Sequence, residues 1–301
     1  MPYKVTAYPC HSYDLNPLKD LLYEFLKGFE RDFSGQKILV KPNFVTFRQA
    51  YLSCTHPLVL RAVCECLLDM GARPFIADSP AFGTAKRVAR ASGAEKALSE
   101  IGVPITKFRH KKKVLLPCGI KVSLAHEALS AYAIVNVPRF KVHNQLLLTL
   151  AVKNLFGCVV GVEKAWLHTR LGEKDNLFAR MICEVATMLP VKVNILDAVV
   201  AMEGRGPTGG RPKKLGMIVA AQNAFALDTA IYERLGLSIQ DVPLWKAAQD
   251  LSIPAAFPQN IEVKGLPAAF SIELPQSLSP ISFQPLRLIK SFTKRLFTRL
   301  F

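Results

Sequence analysis

No stretch of this 301-residue chain approaches the roughly 20 consecutive apolar residues needed to cross a bilayer. The opening Met1-Pro2-Tyr3-Lys4-Val5-Thr6 also lacks the uninterrupted apolar core of a secretory signal. Together these absences point to a cytoplasmic protein. The cysteines, at 10, 54, 64, 66, 118, 158 and 183, are odd in number and scattered through apolar surroundings. That argues against a disulfide framework and for buried free thiols in a reducing compartment. The one close pair, Cys64-Glu65-Cys66, lies inside an apolar run from Leu58 to Met70 and has no CxxC companion, so it reads as core packing rather than a metal or redox centre. No HxxxH or HExxH pattern occurs, and no metal site is assigned. Internal repeats and low-complexity segments are absent too.

Acid is scarce. Against 39 Lys+Arg stand 23 Asp+Glu, a formal charge of +16, and such an excess creates a positive field on the surface or in a cleft. The partner to expect is therefore anionic: a phosphate- or carboxylate-bearing small molecule, a nucleic acid, or an anionic membrane face. Half of the residues are hydrophobic, enough to bury one large core or two modest ones.

What is present alternates between extended and helical patterns. A strand over Lys4 to Tyr8 and a helix from about Pro17 to Phe33 precede the strand Lys37 to Lys41, which stops at Pro42. A helix over Leu58 to Met70 ends at Gly71, before a strand from Pro74 to Ala77. Two short helices up to Ile101 lead to a β-rich patch from Pro104 to Ser123, where an insertion at about 102–130 interrupts the alternation. Next come a strand over Tyr132 to Val137, a helix over Leu146 to Phe156, a helix over Asp175 to Met188, strands at Val191 to Leu196 and Gly216 to Ala221, and a helix over Ala224 to Leu235. This order predicts an α/β fold with a mostly parallel sheet and helices on both faces. It gives an α/β domain over 1–253, a Pro-rich irregular segment over 254–285, and a terminal segment over 286–301. That last segment carries apolar residues at 286, 289, 292, 296 and 300, with five Lys/Arg and no acid on the other face. Two readings fit it: an amphipathic helix on an anionic membrane surface, or a helix docked on the protein's own core.

In open α/β sheets ligands bind beyond the carboxyl ends of the strands, so polar residues just after predicted strands are the site candidates. Lys41 and Asn43, Asp78 and Ser79, Lys141 and His143, and Asp197 all hold such positions. A lysine ending a buried strand is costly to desolvate without an anion beside it. Lys41 therefore either meets a ligand or pairs with Asp78 or Asp197. Lys153 and Asn154 interrupt an otherwise apolar helix and point to a cavity, with Lys164 and His168 close behind. His143 and His168 are general acid or base candidates, or else hydrogen-bonded anchors. Between Asp197 and Pro212 four glycines and two prolines specify a tight loop, and Gly204 and Gly206 offer amides for close approach to a ligand. Gly204, Gly206 and Gly209 match GxGxxG spacing, but no helix follows, which excludes a dinucleotide fingerprint. Glu203, entering that loop, is a candidate acid, base or cation ligand, or a structural partner of a lysine.

The set Lys41-Pro42-Asn43, Asp78-Ser79-Pro80, Pro138-Arg139-Phe140-Lys141-Val142-His143, Lys153-Asn154-Leu155-Phe156-Gly157, Leu196-Asp197-Ala198 and Glu203-Gly204-Arg205-Gly206-Pro207 resembles domain-of-unknown-function family 362, from about residue 36 to 235. The resemblance implies no reaction. Members of that family often carry a ferredoxin-like module with clustered cysteines; this chain has no CxxCxxC run, so no iron–sulfur cluster is carried over and the cofactor stays unknown.

The leading expectation is a protein, an enzyme in preference to a passive binder, for a small anionic metabolite or cofactor. Lys41, Lys141, Lys153 and Lys164 would hold the anion, and His143, His168 and Glu203 would move protons. The alternative classes are a peripheral membrane protein acting through 286–301 at the inner face of a membrane, and a nucleic-acid binder using the run from Arg109 to Lys113. The latter is disfavoured because only Phe108 accompanies that run and no nucleic-acid motif is present.

Overall fold

In the computed structural model the described residues are 1–278 apart from 82, 162, 163, 165, 166, 168–170 and 172–175. His168 and the segment 286–301 thus lie outside the described residues.

The amino-terminal half is built from strand–helix–strand units. Strand β1 (Tyr3–Pro9) leads into α1 (Leu15–Leu26), a 3-10 turn (Lys27–Phe29) and α2 (Glu30–Phe33), so the single helix expected over 17–33 is broken into three pieces near Gly28. Strand β2 (Lys37–Pro42) follows, then α3 (Ala50–Ser53), α4 (Pro57–Asp69), β3 (Arg73–Ala77), α5 (Ala85–Ser92) and α6 (Ala94–Ser99). Local chemistry sets the ends of these helices. His56 caps α4 by accepting from the Leu58 N–H through Nδ1, with Pro57 at the first helical position. Thr84 caps α5 in the same way, and Gly93 ends it at φ +84°.

Short β4 (Ile105–Thr106) is an edge strand of the main sheet, whereas β5 (Lys111–Leu115) and β6 (Lys121–Ala125) form their own antiparallel pair. After α7 (His126–Leu129) come β7 (Ala133–Val137), β8 (Arg139–His143), β9 (Leu147–Thr149), α8 (Ala151–Leu155) and a 3-10 turn (Phe156–Cys158). Here the sequence reading was wrong in part. Residues 147–149 belong to a strand antiparallel to β8, and the helix begins only at Ala151. The run Leu146 to Leu150 is apolar throughout, so its periodicity does not separate buried strand from buried helix.

The carboxyl-terminal half contains α9 (Leu177–Met188), the long β10 (Val191–Glu203), β11 (Arg211–Ala221), α10 (Ala224–Arg234), α11 (Pro243–Asp250) and β12 (Ile261–Lys264). Strands β10 and β11 form one antiparallel hairpin around the glycine-rich loop, longer than the expected strands. Strand β12 pairs in parallel with β1, so the region expected to be irregular after Pro254 contributes to the sheet.

The sheet order is β12-β1-β11-β10-β7-β2-β3-β4, with β8 continuing along β10 beyond Pro138 and β9 paired to β8. Six of its strand pairings are parallel and three antiparallel. It is an α/β fold with a mostly parallel mixed sheet. Alternate residues of each strand feed two cores: Leu39 and Ile134 join one with α8 to α11, while Ile38, Val40, Val135 and Val137 join the other with α1, α4, α5 and α6. The crossover from β2 to β3 runs through α4 on one face, and that from β7 to β10 runs through α8 and α9 on the other. The chain therefore leaves adjacent strands β2 and β7 in opposite directions. That is a topological switch point, where open α/β sheets leave a crevice at the carboxyl edge.

Among the described residues no helix is long and apolar enough to cross a membrane. Cys64 and Cys66 are packed inside α4 against the helical core, and all seven cysteines are free thiols.

Candidate functional site

The carboxyl ends of β2, β3 and β7 meet at this switch point, because Lys41 stands opposite Asn136 in the parallel register and β3 ends next to them. Lys41 is fully buried. Its Nζ pairs with Asp78 Oδ1 at 2.8 Å and donates to the Pro42 carbonyl at 2.7 Å. Asp78, rather than Asp197, is thus its partner. The Asp78 carboxylate also accepts from the backbone N–H groups of Ser79 (2.6 Å) and Phe44 (2.9 Å), which locks the loops after β2 and β3 together. Gly157 closes the other side: a Cβ there would lie 2.5 Å from Lys41 Nζ and 2.6 Å from Asp78 Oδ1. No side chain larger than hydrogen fits.

Lys164 reaches into the same place, donating to the carbonyls of Ser79 and, at 3.3 Å, of Gly157. Ser79 thus contributes its backbone to the lysine cluster. Lys153 projects from α8 with its Nζ 4.7 Å from the centre of the Phe156 ring, and Lys164 Nζ is 6.0 Å from the same ring. Among the described residues Lys153 has no carboxylate and no hydrogen-bond acceptor. Burial, reinforced by the charges of Lys164, Lys141 and Lys41, lowers its pKa to about 7. Lys164 falls to about 8, mainly through burial, and fully buried Lys141 to about 7, again chiefly through burial.

Behind the lysines runs a chain of side-chain amides. Lys141 Nζ donates to Asn43 Oδ1 and to the Ser53 carbonyl. Asn43 Nδ2 donates to Asn154 Oδ1 (2.6 Å), Asn154 Nδ2 to Asn136 Oδ1 (2.8 Å), and Asn136 Nδ2 to Asn194 Oδ1 (2.9 Å). All four asparagines are buried. This network fixes α8 against the ends of β2, β7 and β10 and fixes each amide orientation. Asn43 and Asn154, expected to touch a ligand, instead hold the frame from which Lys153 projects. Asp228, buried in α10, completes that frame by accepting from Ala151 N–H (2.8 Å) and Val152 N–H (3.0 Å) at the start of α8; burial raises its pKa to about 8.

Three sequence candidates fall elsewhere. Asp197 lies on the opposite face of the sheet, where its carboxylate accepts from Arg139 Nη1 (2.6 Å), the Tyr13 hydroxyl (2.9 Å) and the His56 N–H (2.9 Å). The Tyr13 and His56 rings stack with centroids 3.6 Å apart. They line a cavity of about 310 Å³ with Tyr51, Leu52, Ser92 and Arg139. His56 is held neutral, burial lowering its pKa to about 4. Glu203 accepts from the Glu273 N–H at 3.1 Å and has no lysine partner among the described residues. The glycine loop approaches protein backbone instead of leaving room for a ligand. A Cβ on Gly206 would lie 1.8 Å from the Val142 carbonyl, and Gly204, at φ +77°, donates to the Glu273 carbonyl. Close approach is indeed what the glycines provide, but to β8 and the segment after β12.

His143 is buried, and its Nδ1 accepts from the N–H groups of Gln145 (3.1 Å) and Leu146 (3.3 Å). That fixes the ring as the Nε2–H tautomer and makes Nδ1 unavailable as a base. Sequence reasoning missed Asn136, Asn194, Gly157 and Asp228. Asn136 was detectable as a lone amide in a strand otherwise made of Ala, Ile and Val, and Asp228 as an acid amid the apolar first half of its helix.

The family described as "Domain of unknown function (DUF362)" matches residues 38–233, which contain every residue of this cluster. The chain belongs to that family. The thylakoid-associated protein sll1697 of Synechocystis is 35% identical over 276 residues, covering 88% of this chain and 84% of its own. Among solved structures, the lactate racemase apoprotein of Thermoanaerobacterium thermosaccharolyticum superposes with a TM-score of 0.50 at 11% identity, over 74% of this chain. The chain spans about half of that protein, 54% of its length, and the likeness is one of fold. A protein from Thermotoga maritima gives a TM-score of 0.39 at 11% identity, over 72% of this chain and 57% of its own.

Proposed function

We propose that the switch-point cluster binds a small anionic metabolite, a carboxylate or phosphate ester, and that Lys153 is its principal contact. The supporting observation is the charge balance: among the described residues Lys41, Lys153 and Lys164 converge on a single carboxylate, Asp78, which Lys41 and two backbone N–H groups already occupy. Buried charge of one sign is costly unless a counter-ion joins it. An anion between Lys153 and Lys164 supplies the missing charge, and each of these ammonium groups retains a donor for it. An enzyme is favoured over a passive carrier, because a lysine near neutrality serves proton transfer at cellular pH.

Titration calorimetry with inorganic phosphate and with a small dicarboxylate tests the reading. Lys153→Met should weaken binding by about 10-fold or more, the worth of one charge-assisted hydrogen bond, with the melting temperature kept or raised. Unchanged binding removes Lys153 from the site. Native mass spectrometry of protein purified from its own cells would identify the occupant.

A second reading concerns location. The relative from Synechocystis is named for thylakoid association, and the segment 286–301 carries five Lys/Arg and no acid beside an apolar stripe, so it would bind an anionic bilayer from one side. Flotation with anionic liposomes that is lost on truncation after Pro285 supports this; flotation that survives truncation ends it.

A further inference from the structure

We infer that Lys153 acts as a nucleophile, its amine forming an imine with a small carbonyl compound that carries an anionic group. This rests on the anion site proposed above and names the substrate class for it.

The four lysines are not equivalent. Lys41 is tied to Asp78 and the Pro42 carbonyl, Lys141 to Asn43 and the Ser53 carbonyl, and Lys164 to the carbonyls of Ser79 and Gly157. Each is held by two oxygen acceptors, which engage two of its three hydrogens and commit the nitrogen to donating. Among the described residues Lys153 alone of the four has an aromatic ring against it and no acceptor. Its nitrogen lone pair is therefore the one available for bonding, and Lys164 and Lys41 disfavour protonation of that nitrogen. The side chain is only partly buried, so a small molecule can reach it. Its base is rigid, because Asn154 is locked into the amide chain and the start of α8 is held by Asp228. Lys164, 6.0 Å from the ring that Lys153 covers at 4.7 Å, stands beside the position a substrate carboxylate or phosphate would take.

The chemistry balances without a further reagent. The neutral Lys153 amine adds its lone pair to the carbonyl carbon, giving a carbinolamine. Loss of water, with a proton taken up by the departing oxygen, leaves a protonated imine. That cation withdraws electrons from the adjacent carbon and assists bond cleavage there.

The test uses the full chain and two small aldehydes: glyoxylate, which carries a carboxylate, and acetaldehyde, which carries none. Cyanoborohydride traps any imine by transferring hydride to its carbon, and peptide mass spectrometry locates the adduct. An ordinary lysine is free amine in roughly one molecule per thousand at neutral pH. Lys153 should therefore be labelled at least about 10-fold faster than exposed Lys111, Lys112 and Lys113, half-maximally near the pH 7 to which it is lowered. Glyoxylate should exceed acetaldehyde, inorganic phosphate should compete with glyoxylate, and Lys164→Met should move the acetaldehyde pH midpoint upward. Labelling of Lys153 by both aldehydes equally, with no competition, supports the nucleophile and overturns the anion site. Phosphate binding with Lys153 labelled no faster than Lys111 to Lys113 overturns the nucleophile and leaves the anion site standing. Neither binding nor preferential labelling overturns both.

Discussion

Two buried cation–carboxylate pairs sit on opposite faces of this sheet, and they solve the same problem differently. On the face covered by α1, α4 and α5, Arg139 and Asp197 are matched one to one, and Tyr13 and the His56 backbone fill the remaining acceptor positions of the carboxylate. On the face covered by α8, Asp78 is equally saturated, yet two further lysines arrive with no carboxylate of their own among the described residues. The first arrangement balances its charges within the protein, although Arg139 Nε is buried without a hydrogen-bond partner among the described residues. The second leaves cations in excess among the described residues. Burial of charge is therefore not in itself a sign of a site.

Removing a cation from each face should have opposite consequences. Arg139→Met leaves Asp197 buried without its counter-charge and should cost about 3–5 kcal/mol, measured by urea denaturation. Lys153→Met removes a partly buried charge with no carboxylate partner among the described residues, and should leave stability unchanged or higher. An equal loss in both would erase the distinction drawn here.

A smaller effect is expected from Gly157→Ala. Its Cβ would press on both members of the Lys41–Asp78 pair, and overpacking of that kind costs about 1–3 kcal/mol. Anion binding should fall with it, whereas Gly83→Ala or any substitution near Arg139 should leave anion binding intact. Asn136→Leu should cost about 1–3 kcal/mol, by leaving the Asn154 and Asn194 amides each without one partner.

Dependence on pH separates the faces more subtly. Lys153 and Lys164 have pKa values lowered to about 7 and about 8 in the folded protein, against an ordinary value near 10.4. Between these limits each of the two lysines holds more protons in the unfolded chain than in the folded one, so their contribution to stability should rise as pH increases from about 7 towards 10. Lys153→Met should flatten that rise when unfolding is followed at several pH values. Loss of the rise on mutating Arg139, with Lys153 intact, would contradict the assignment. The smallest effect, within about 0.5 kcal/mol, is expected for Lys112→Gln on the exposed strand β5.

Much of the architecture was legible because it depends on short-range pattern. The strands around Leu39, Ile76 and Ile134 and the helices over 57–69 and 224–234 carry runs long enough to identify. The stretch from 146 to 158 was misread, because uniformly apolar sequence has no period. Half of the site was legible for a related reason: a lysine at the end of a buried strand is anomalous wherever the strand goes. Asn43, Asn154 and Asp197 were recognised as unusual, and their protein partners were not foreseen, since whether a buried polar group meets another side chain depends on residues far away in the chain.

The sequence alone determined the alternation of strands and helices, the excess of positive charge and the presence of costly polar groups at strand ends, because each follows from composition or local spacing. Tertiary structure decided which charges cancel. Asp78 meets Lys41 across 37 positions and Asp197 meets Arg139 across 58, while Lys153 meets an aromatic ring three residues on. Such pairings come from strand register and helix packing, and Coulomb interactions in a buried site depend on those distances over a few ångströms.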